Sequence, residues 1–286
     1  PSFYSHSVGS VISTSINKFV YLSVNKKFDK DIRISYSKTE ICDHINKIQH
    51  PIVRECLKEC NIHNSIEITS MADIPSRGSG LGSSSAFTVG LLKALYAFKG
   101  IFKNNHFLAE KACDVEINKC KEPIGKQDQF GVSIGGIKKI NFLENGQVVI
   151  NRCAISQKRK DIFREKLLML YTGRNRSASS ILAHQSKELS SSIKKRTIMK
   201  AMVNLVDDFN YELMEGDIDN LGAILHENWQ KKKSISSSIS SGWINEAYDE
   251  ALKLGAKGGK ILGAGNGGFF LFFCDPIKHN SIINGL

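Results

Sequence analysis

A segment of glycines and serines at residues 78–85, GSGLGSSS, has the composition of an anion-binding loop. It follows an alternating, strand-like segment and precedes an apolar run that we expect to form a helix. Small residues let a ligand approach the backbone, and a helix N-terminus favours negative charge. We expect the N–H groups of residues 80–84 to converge on a triphosphate, with serine hydroxyls binding Mg²⁺. The predicted phosphate-binding residues are Gly78, Gly80, Leu81, Gly82, Ser83, Ser84 and Ser85.

Other interpretations of the two glycine-rich segments are weaker. A serine N-cap after a flexible turn would need only one serine, whereas this segment has three in a row. A Walker A loop requires a lysine after its last glycine, and neither segment has one. The second segment, GAGNGG at residues 263–268, matches the Rossmann spacing but is followed by the strand-like FFLFFC instead of a helix. It is therefore predicted to be a tight turn where another backbone comes close.

Composition and charge restrict the location and the kinds of partner that we expect for this protein. The 286 residues are 41% hydrophobic, without an apolar run long enough to cross a bilayer and without a signal-peptide pattern, so we expect a cytoplasmic protein without a membrane partner. The seven cysteines form no C-x-x-C pair and are interpreted as reduced core thiols. The net charge of +11 is spread along the chain, which argues against a nucleic-acid partner and suits an acidic, phosphorylated small substrate.

Periodicity predicts an α+β protein. The first forty residues alternate and are interpreted as an antiparallel meander. Apolar residues from Ile41 to Cys56 predict an amphipathic helix interrupted near Pro51, and residues 84–98 predict a buried helix. A hairpin is expected with Asn145 and Gly146 at its turn. Residues 177–233 are predicted to be helical, and the serine-rich segment at 234–242 is interpreted as a mobile loop.

The glycine segments resemble those of the GHMP kinases, the family named for galactokinase, homoserine kinase, mevalonate kinase and phosphomevalonate kinase. Pro75 followed by GSGLGSSSA resembles the family's second motif, with one extra residue before Gly80, and KILGAGNGGFFLFF resembles its third. The resemblance implies a two-lobed GHMP kinase fold: an antiparallel-rich β/α ATP-binding domain at residues 1–155 and an α+β C-terminal domain at 156–286. The family's first motif would precede residue 1, and we expect both ends to be truncated.

Four longer segments carry a closer resemblance within this family: PSFYSHSVGSVISTSINKFVYLSV, GSGLGSSSAFTVGLLKALYAFKG, EPIGKQDQFGVSIGG and LYTGRNRSASSIL. They resemble segments of the kinases that act on D-glycero-D-manno-heptose 7-phosphate. That likeness implies ATP- and Mg²⁺-dependent phosphorylation of the anomeric hydroxyl, for nucleotide-activated heptose used in lipopolysaccharide or capsule synthesis. The alternatives are a kinase for another sugar, such as fucose or galactose, and a catalytically silent sugar and ATP sensor. The sequence leaves a homodimer open.

The same resemblance assigns Mg²⁺ to Ser84 and Glu116 and the catalytic base to Asp128. Taken alone, Glu116 would be interpreted as a solvated helix carboxylate and Asp128 as a turn residue. Lys126 is a candidate charge partner of Asp128.

Four residues are candidates for binding the substrate. Arg174 and Arg176 would bind the phosphate of the sugar, because guanidinium groups match phosphate geometry; surface charge at the end of a strand is an equal alternative. Ser2 and Tyr4 follow the missing first motif and are predicted to line the sugar pocket.

Overall fold

The computed structural model describes residues 3–74, 78–174 and 178–286. The chain forms two compact units that alternate along the sequence. The first unit contains the described residues up to Thr14, those from Gly78 to Leu81 and those from Gly136 onward. The second contains the described residues from Ser15 up to 74 and those from Gly82 to Gly135. A boundary between the two family domains near residue 155 stays a prediction.

The second unit is built on a four-stranded sheet. Its strands are β2 (Val20–Lys26), β3 (Ile32–Ser35), β4 (Thr39–Cys42) and β5 (Ile66–Ala72), in the order β2-β5-β3-β4. β3 runs parallel to β5 and the other pairs are antiparallel. The predicted meander is wrong, because β5 separates β2 from β3 and β1 belongs to another sheet. Alternation indicates which residues share a face of a strand and says nothing about which strands pair.

Helices cover this sheet and contribute its core. They are α1 (Pro51–Glu59), α2 (Ser83–Phe98), α3 (Asn105–Cys113) and α4 (Gln127–Ser133), and a π-helical turn (Asp114–Lys119) continues α3. Leu91, Leu92 and Leu95 of α2 are fully buried in one core cluster with the inward isoleucines of β3 and β5. The helix predicted from Ile41 starts only at Pro51, whose fixed φ suits a first helical position, and Ile41 lies in β4.

The first unit contains two three-stranded antiparallel sheets. β1 (Gly9–Thr14), β6 (Ile137–Phe142) and β7 (Val148–Arg152) form one, in the order β1-β6-β7. The predicted hairpin is confirmed: β6 pairs with β7, and Gly146 at the turn has φ of 84°, which favours glycine. The second sheet has the order β8-β10-β9, with β8 (Leu167–Tyr171), β9 (Ala256–Ile261) and β10 (Phe269–Cys274).

Six helices accompany these sheets in the described part of the first unit: α5 (Gln157–Glu165), α6 (Ala178–Ser191), α7 (Ile193–Met214), α8 (Asn220–Ile235), α9 (Gly242–Lys253) and α10 (His279–Gly285). Trp229, Tyr248 and Phe272 are fully buried in their shared core. The serine-rich segment predicted as a mobile loop is attached to that core, because Ile235 and Ile239 are 2% and 0% exposed. Over the ranges given above, no helix combines the length and apolarity needed to span a membrane.

Candidate active site

The main feature of the second unit is a buried carboxylate, that of Glu116. Its side chain is 1% exposed and lies in the π-helical turn after α3. Oε1 accepts hydrogen bonds from Ser84 Oγ at 3.1 Å and Thr88 Oγ1 at 3.0 Å. Oε2 accepts from Ser85 Oγ at 2.8 Å and from the amide of Gln129. Each carboxylate oxygen therefore receives two donors.

Three of these donors belong to the first turns of α2. Gly82 precedes the helix as its N-cap with a left-handed φ of 74°, which favours glycine. Ser84 and Thr88 are four residues apart and share a helix face, so both hydroxyls reach one carboxylate oxygen. Ser85 and Thr88 are buried, whereas Ser84 is exposed. The hydroxyl of Ser84 therefore marks the side of the carboxylate that is nearest to solvent.

Burial and hydrogen bonding act in opposite directions on this carboxyl group. Burial is the larger effect and raises the pKa of Glu116, while the donors from Ser85, Gln129, Thr88 and Ser84 lower it. The net shift is upward, because these neutral donors only partly replace the water that burial removes. A cation would lower the pKa again, so this carboxylate is suited to bind one.

A divalent metal fits the oxygen atoms at this site. Mg²⁺ prefers hard oxygen ligands and usually takes one or two from protein, with phosphate oxygens and water completing its shell. The Ser84 hydroxyl and the Glu116 carboxylate are such a pair. Among the described residues no cluster of three or more His, Cys, Asp or Glu could hold a metal by itself.

Asp128 lies close to the start of α2. It belongs to the first turn of α4, its side chain is exposed, and its Cγ would lie 3.6 Å from a Cβ placed on Gly82. Val132 Cγ1 would lie 3.3 Å from the same Cβ, a tight contact, and the left-handed φ is the stronger reason for glycine at this position. The next residue, Gln129, donates to Glu116. One short helix thus carries the predicted base and a hydrogen-bond donor to the predicted metal ligand.

In the first unit the two glycine segments meet. Gly78 and Gly80 have left-handed φ angles of 75° and 78°. A Cβ on Gly268 would collide with the carbonyl oxygen of Ser79 and lie 3.0 Å from that of Gly78. The prediction that another backbone approaches the GAGNGG turn is therefore confirmed, and that backbone is the start of the GSGLGSSS segment.

The GAGNGG turn is also tied to the rest of the first unit. The N–H of Gly268 donates to Arg174 O at 3.1 Å, and its carbonyl accepts from the N–H of Thr172 at 2.9 Å. The buried amide of Gln185 donates to Ala264 O at 2.9 Å. These contacts attach the glycine turn to the segment that follows β8 and to α6.

The predicted substrate residues are only partly described. The guanidinium of Arg174 stacks over Trp243, with 4.5 Å from its carbon to the ring centre. The ring of Tyr4 lies 6.3 Å from that of Phe142. Arg176 and Ser2 lie outside the described residues. Leu81 and Ser83, named with the phosphate loop, are half-buried and buried.

Sequence reasoning missed two residues, Thr88 and Gln129, that contact Glu116. The sequence contained a signal for Thr88, because it is a polar residue in a largely apolar helix and lies four positions after Ser84. For Gln129 the sequence contained no signal beyond its position next to Asp128, because its contact with Glu116 depends on how α4 packs in the second unit.

Comparisons with known proteins agree with this architecture. The GHMP kinases N terminal domain matches residues 46–136 and the GHMP kinases C terminal domain matches residues 209–286, together more than half of the chain. A D-glycero-alpha-D-manno-heptose 7-phosphate kinase from Campylobacter jejuni is 28% identical, over 97% of this chain and 85% of the relative. A galactokinase from Pyrococcus furiosus is 25% identical over 84% of this chain and 72% of the relative.

Solved structures share the fold. A D-glycero-D-manno-heptose 1-phosphate kinase from Bacteroides thetaiotaomicron has a TM-score of 0.77 at 22% identity, covering 98% of this chain and 84% of that one. A Lactococcus lactis galactokinase complexed with galactose has a TM-score of 0.78 at 15% identity, covering 99% and 84%. With both family domains matched in order and relatives that are kinases, the chain belongs to the GHMP kinases and is a phosphotransferase with an alcohol group as acceptor.

Proposed function

We propose that this protein transfers the γ-phosphate of ATP to the anomeric hydroxyl of D-glycero-D-manno-heptose 7-phosphate, giving the 1,7-bisphosphate. The observation that carries the phosphoryl-transfer part is the buried Glu116 carboxylate beside the exposed Ser84 hydroxyl at the N-terminus of α2. The choice of heptose 7-phosphate is supported by the 28% identity to the Campylobacter jejuni enzyme over nearly the whole chain. The product would supply nucleotide-activated heptose for lipopolysaccharide or capsule synthesis in the cytoplasm.

In this proposal Ser84 and Glu116 hold the metal. The hydrogen bond from Ser84 is the longest of the three hydroxyl contacts to Glu116 and has the only exposed donor, so it is the one most easily exchanged for a cation. When that hydroxyl turns away from Glu116, its oxygen is available as a second ligand. Held there together with ATP, Mg²⁺ would supply positive charge against the negative charge that develops during transfer.

Asp128 acts on the acceptor. The sugar hydroxyl attacks the γ-phosphorus, the bond from that phosphorus to the β–γ bridging oxygen breaks, and ADP leaves. Asp128 accepts the hydroxyl proton, or holds the hydroxyl in line until transfer is advanced. The position of Asp128 against Gly82 supports this role, because it places the carboxylate at the last glycine of the predicted phosphate loop.

The arginines bind the phosphate at position 7 of the substrate. Stacking on Trp243 occupies the face of the Arg174 guanidinium and leaves its N–H edges for hydrogen bonding. Stacked arginines of this kind are restrained in orientation, so a bidentate contact to a phosphate costs less side-chain entropy. Arg176 completes the pair in this proposal.

The test is ADP release with five acceptors in parallel: heptose 7-phosphate, free heptose, galactose, fucose and mevalonate. Turnover confined to heptose 7-phosphate supports the proposal. Turnover on galactose or fucose would favour another sugar 1-kinase, which the similarity to galactokinases also supports. Tight ATP binding without turnover on any acceptor would indicate a sensor.

An arginine substitution tests the substrate phosphate separately. The substitution Arg174→Lys keeps the positive charge. It removes the pair of N–H groups that can bind two phosphate oxygens and the stacking of the guanidinium on Trp243. We expect KM for heptose 7-phosphate to rise roughly tenfold, which corresponds to about 1.4 kcal/mol, with KM for ATP unchanged. An unchanged KM for the sugar phosphate would remove Arg174 from the phosphate site.

A further inference from the structure

We propose that Gln129 is a positioning residue for the metal-binding carboxylate: its amide fixes the orientation of Glu116 and links it to the helix that carries Asp128. This inference rests on the proposed function, because it presupposes that Glu116 binds the metal. It concerns a residue that none of the motifs in the sequence indicates.

Gln129 differs from the other donors to Glu116 in the helix that carries it. Of the four donors that the described residues supply, Ser84, Ser85 and Thr88 are all on α2, and Gln129 alone is on α4. Gln129 is 0% exposed and donates to Oε2, the oxygen that also accepts from Ser85. If Ser84 turns to the metal, Ser85, Thr88 and Gln129 are the donors that remain to hold the carboxylate in place.

The other end of the Gln129 amide supports the presence of a ligand. Its Oε1 is buried and has no hydrogen-bond partner within the described residues. The amide cannot be turned over to satisfy it, because Oε1 would then face the carboxylate oxygen of Glu116 without a proton between them. Buried acceptors are rarely left unpaired. Because Mg²⁺ keeps several waters in protein sites, a metal-bound water belongs to the class of donor that would satisfy this oxygen.

The experiment measures Mn²⁺ binding in the presence of ADP by electron paramagnetic resonance at pH 7.5. Gln129→Met keeps the length of the side chain and removes both polar atoms. Gln127→Met, an exposed residue of the same helix, is the matched control. We expect the Kd for Mn²⁺ to rise roughly tenfold in Q129M and the spectrum of the bound Mn²⁺ to change, because its carboxylate ligand is no longer held in one orientation. Q127M should behave as the unmodified protein in both measurements.

The outcomes are distinguishable. A Kd within twofold of that of the unmodified protein together with an unchanged spectrum of the bound Mn²⁺, even with a lower melting temperature, would overturn the inference and leave Gln129 a structural residue. If Glu116→Gln also leaves Mn²⁺ binding unchanged, the proposed function fails together with the inference; if only E116Q loses binding, the inference alone fails. Should Q129M not fold, Gln129→Asn tests the same point, because its amide is one methylene too short to reach Glu116, and the same weakening is expected.

Discussion

Thr88 offers a quantitative test of how the buried carboxylate is maintained. Its hydroxyl is fully buried and lies 3.0 Å from Glu116 Oε1 and 3.0 Å from the carbonyl oxygen of Ser84. Thr88→Val replaces this hydroxyl by a methyl group of similar size, so packing is nearly unchanged. The substitution therefore removes one donor from a desolvated carboxylate, together with the contact that the same hydroxyl makes with Ser84 O.

Hydrogen bonds to charged groups contribute about 1.5–3 kcal/mol. We expect the free energy of unfolding of T88V to fall by up to that amount at pH 7.5 and by less at pH 5. The pKa of Glu116 is already raised by burial, and loss of a donor raises it further. The penalty is therefore complete above this raised pKa, and it shrinks as the pH falls through it because the protonated acid needs the donor less.

The measurement is urea unfolding followed by far-UV circular dichroism at pH 7.5 and pH 5. Tryptophan fluorescence would not serve, because Trp229 and Trp243 both lie in the first unit, whereas Thr88 lies in the second. Thr197→Val is the matched control: its hydroxyl donates to Ile193 O at 3.2 Å on the exposed face of α7. Two results would refute this reasoning. One is a change in the free energy of unfolding of T88V of less than about 0.5 kcal/mol, and the other is a larger decrease at pH 5 than at pH 7.5.

Two further predictions concern the first unit. Lys138 is fully buried, and burial followed by the charge of Arg152 lowers its pKa to about 8. Burial destabilises the charged form of Lys138, so Lys138→Met should raise the free energy of unfolding by up to ~3 kcal/mol at pH 7. This gain should disappear as the pH rises from about 8 towards 10.5, because the lysine is then neutral in the folded protein as well. Urea titrations at both ends of this range would measure the gain, and its absence at pH 7 would contradict the prediction. Gly268→Ala should destabilise by roughly 2 kcal/mol or more, because Gly268 has φ of 90° and a Cβ would collide with Ser79 O. Gly135→Ala, where nothing lies within 4 Å of the new Cβ, is its control, and equal melting temperatures for the two variants would disprove the close approach.

Features that depend on local sequence could be predicted. The glycine positions 78, 80 and 82 all have left-handed φ angles, and the apolar helix predicted over residues 84–98 spans Ser83–Phe98. The Asn145-Gly146 turn and the strand after GAGNGG are local in the same sense. In each case the residue type restricts the backbone directly, so neighbours along the chain contain the information.

Features that depend on contacts between distant parts of the chain could not be predicted. The strand β1 alternates like β2 but pairs with β6, some 130 residues further along the chain. The donors to Glu116 come from segments separated from it by 13 to 32 positions. Pairing and packing of this kind are decided by the whole fold, and the serines, Thr88 and Gln129 look like ordinary polar residues in the sequence.

The most direct test of the proposed chemistry is a comparison of turnover and nucleotide binding in Asp128→Asn. We expect kcat with heptose 7-phosphate to fall by roughly 10²–10⁴, while the Kd for ATP with Mg²⁺ stays within threefold of the unmodified protein. Asp208→Asn, at an exposed position on α7, should change neither. Turnover of D128N within tenfold of the unmodified protein would contradict the assignment of Asp128 as the base.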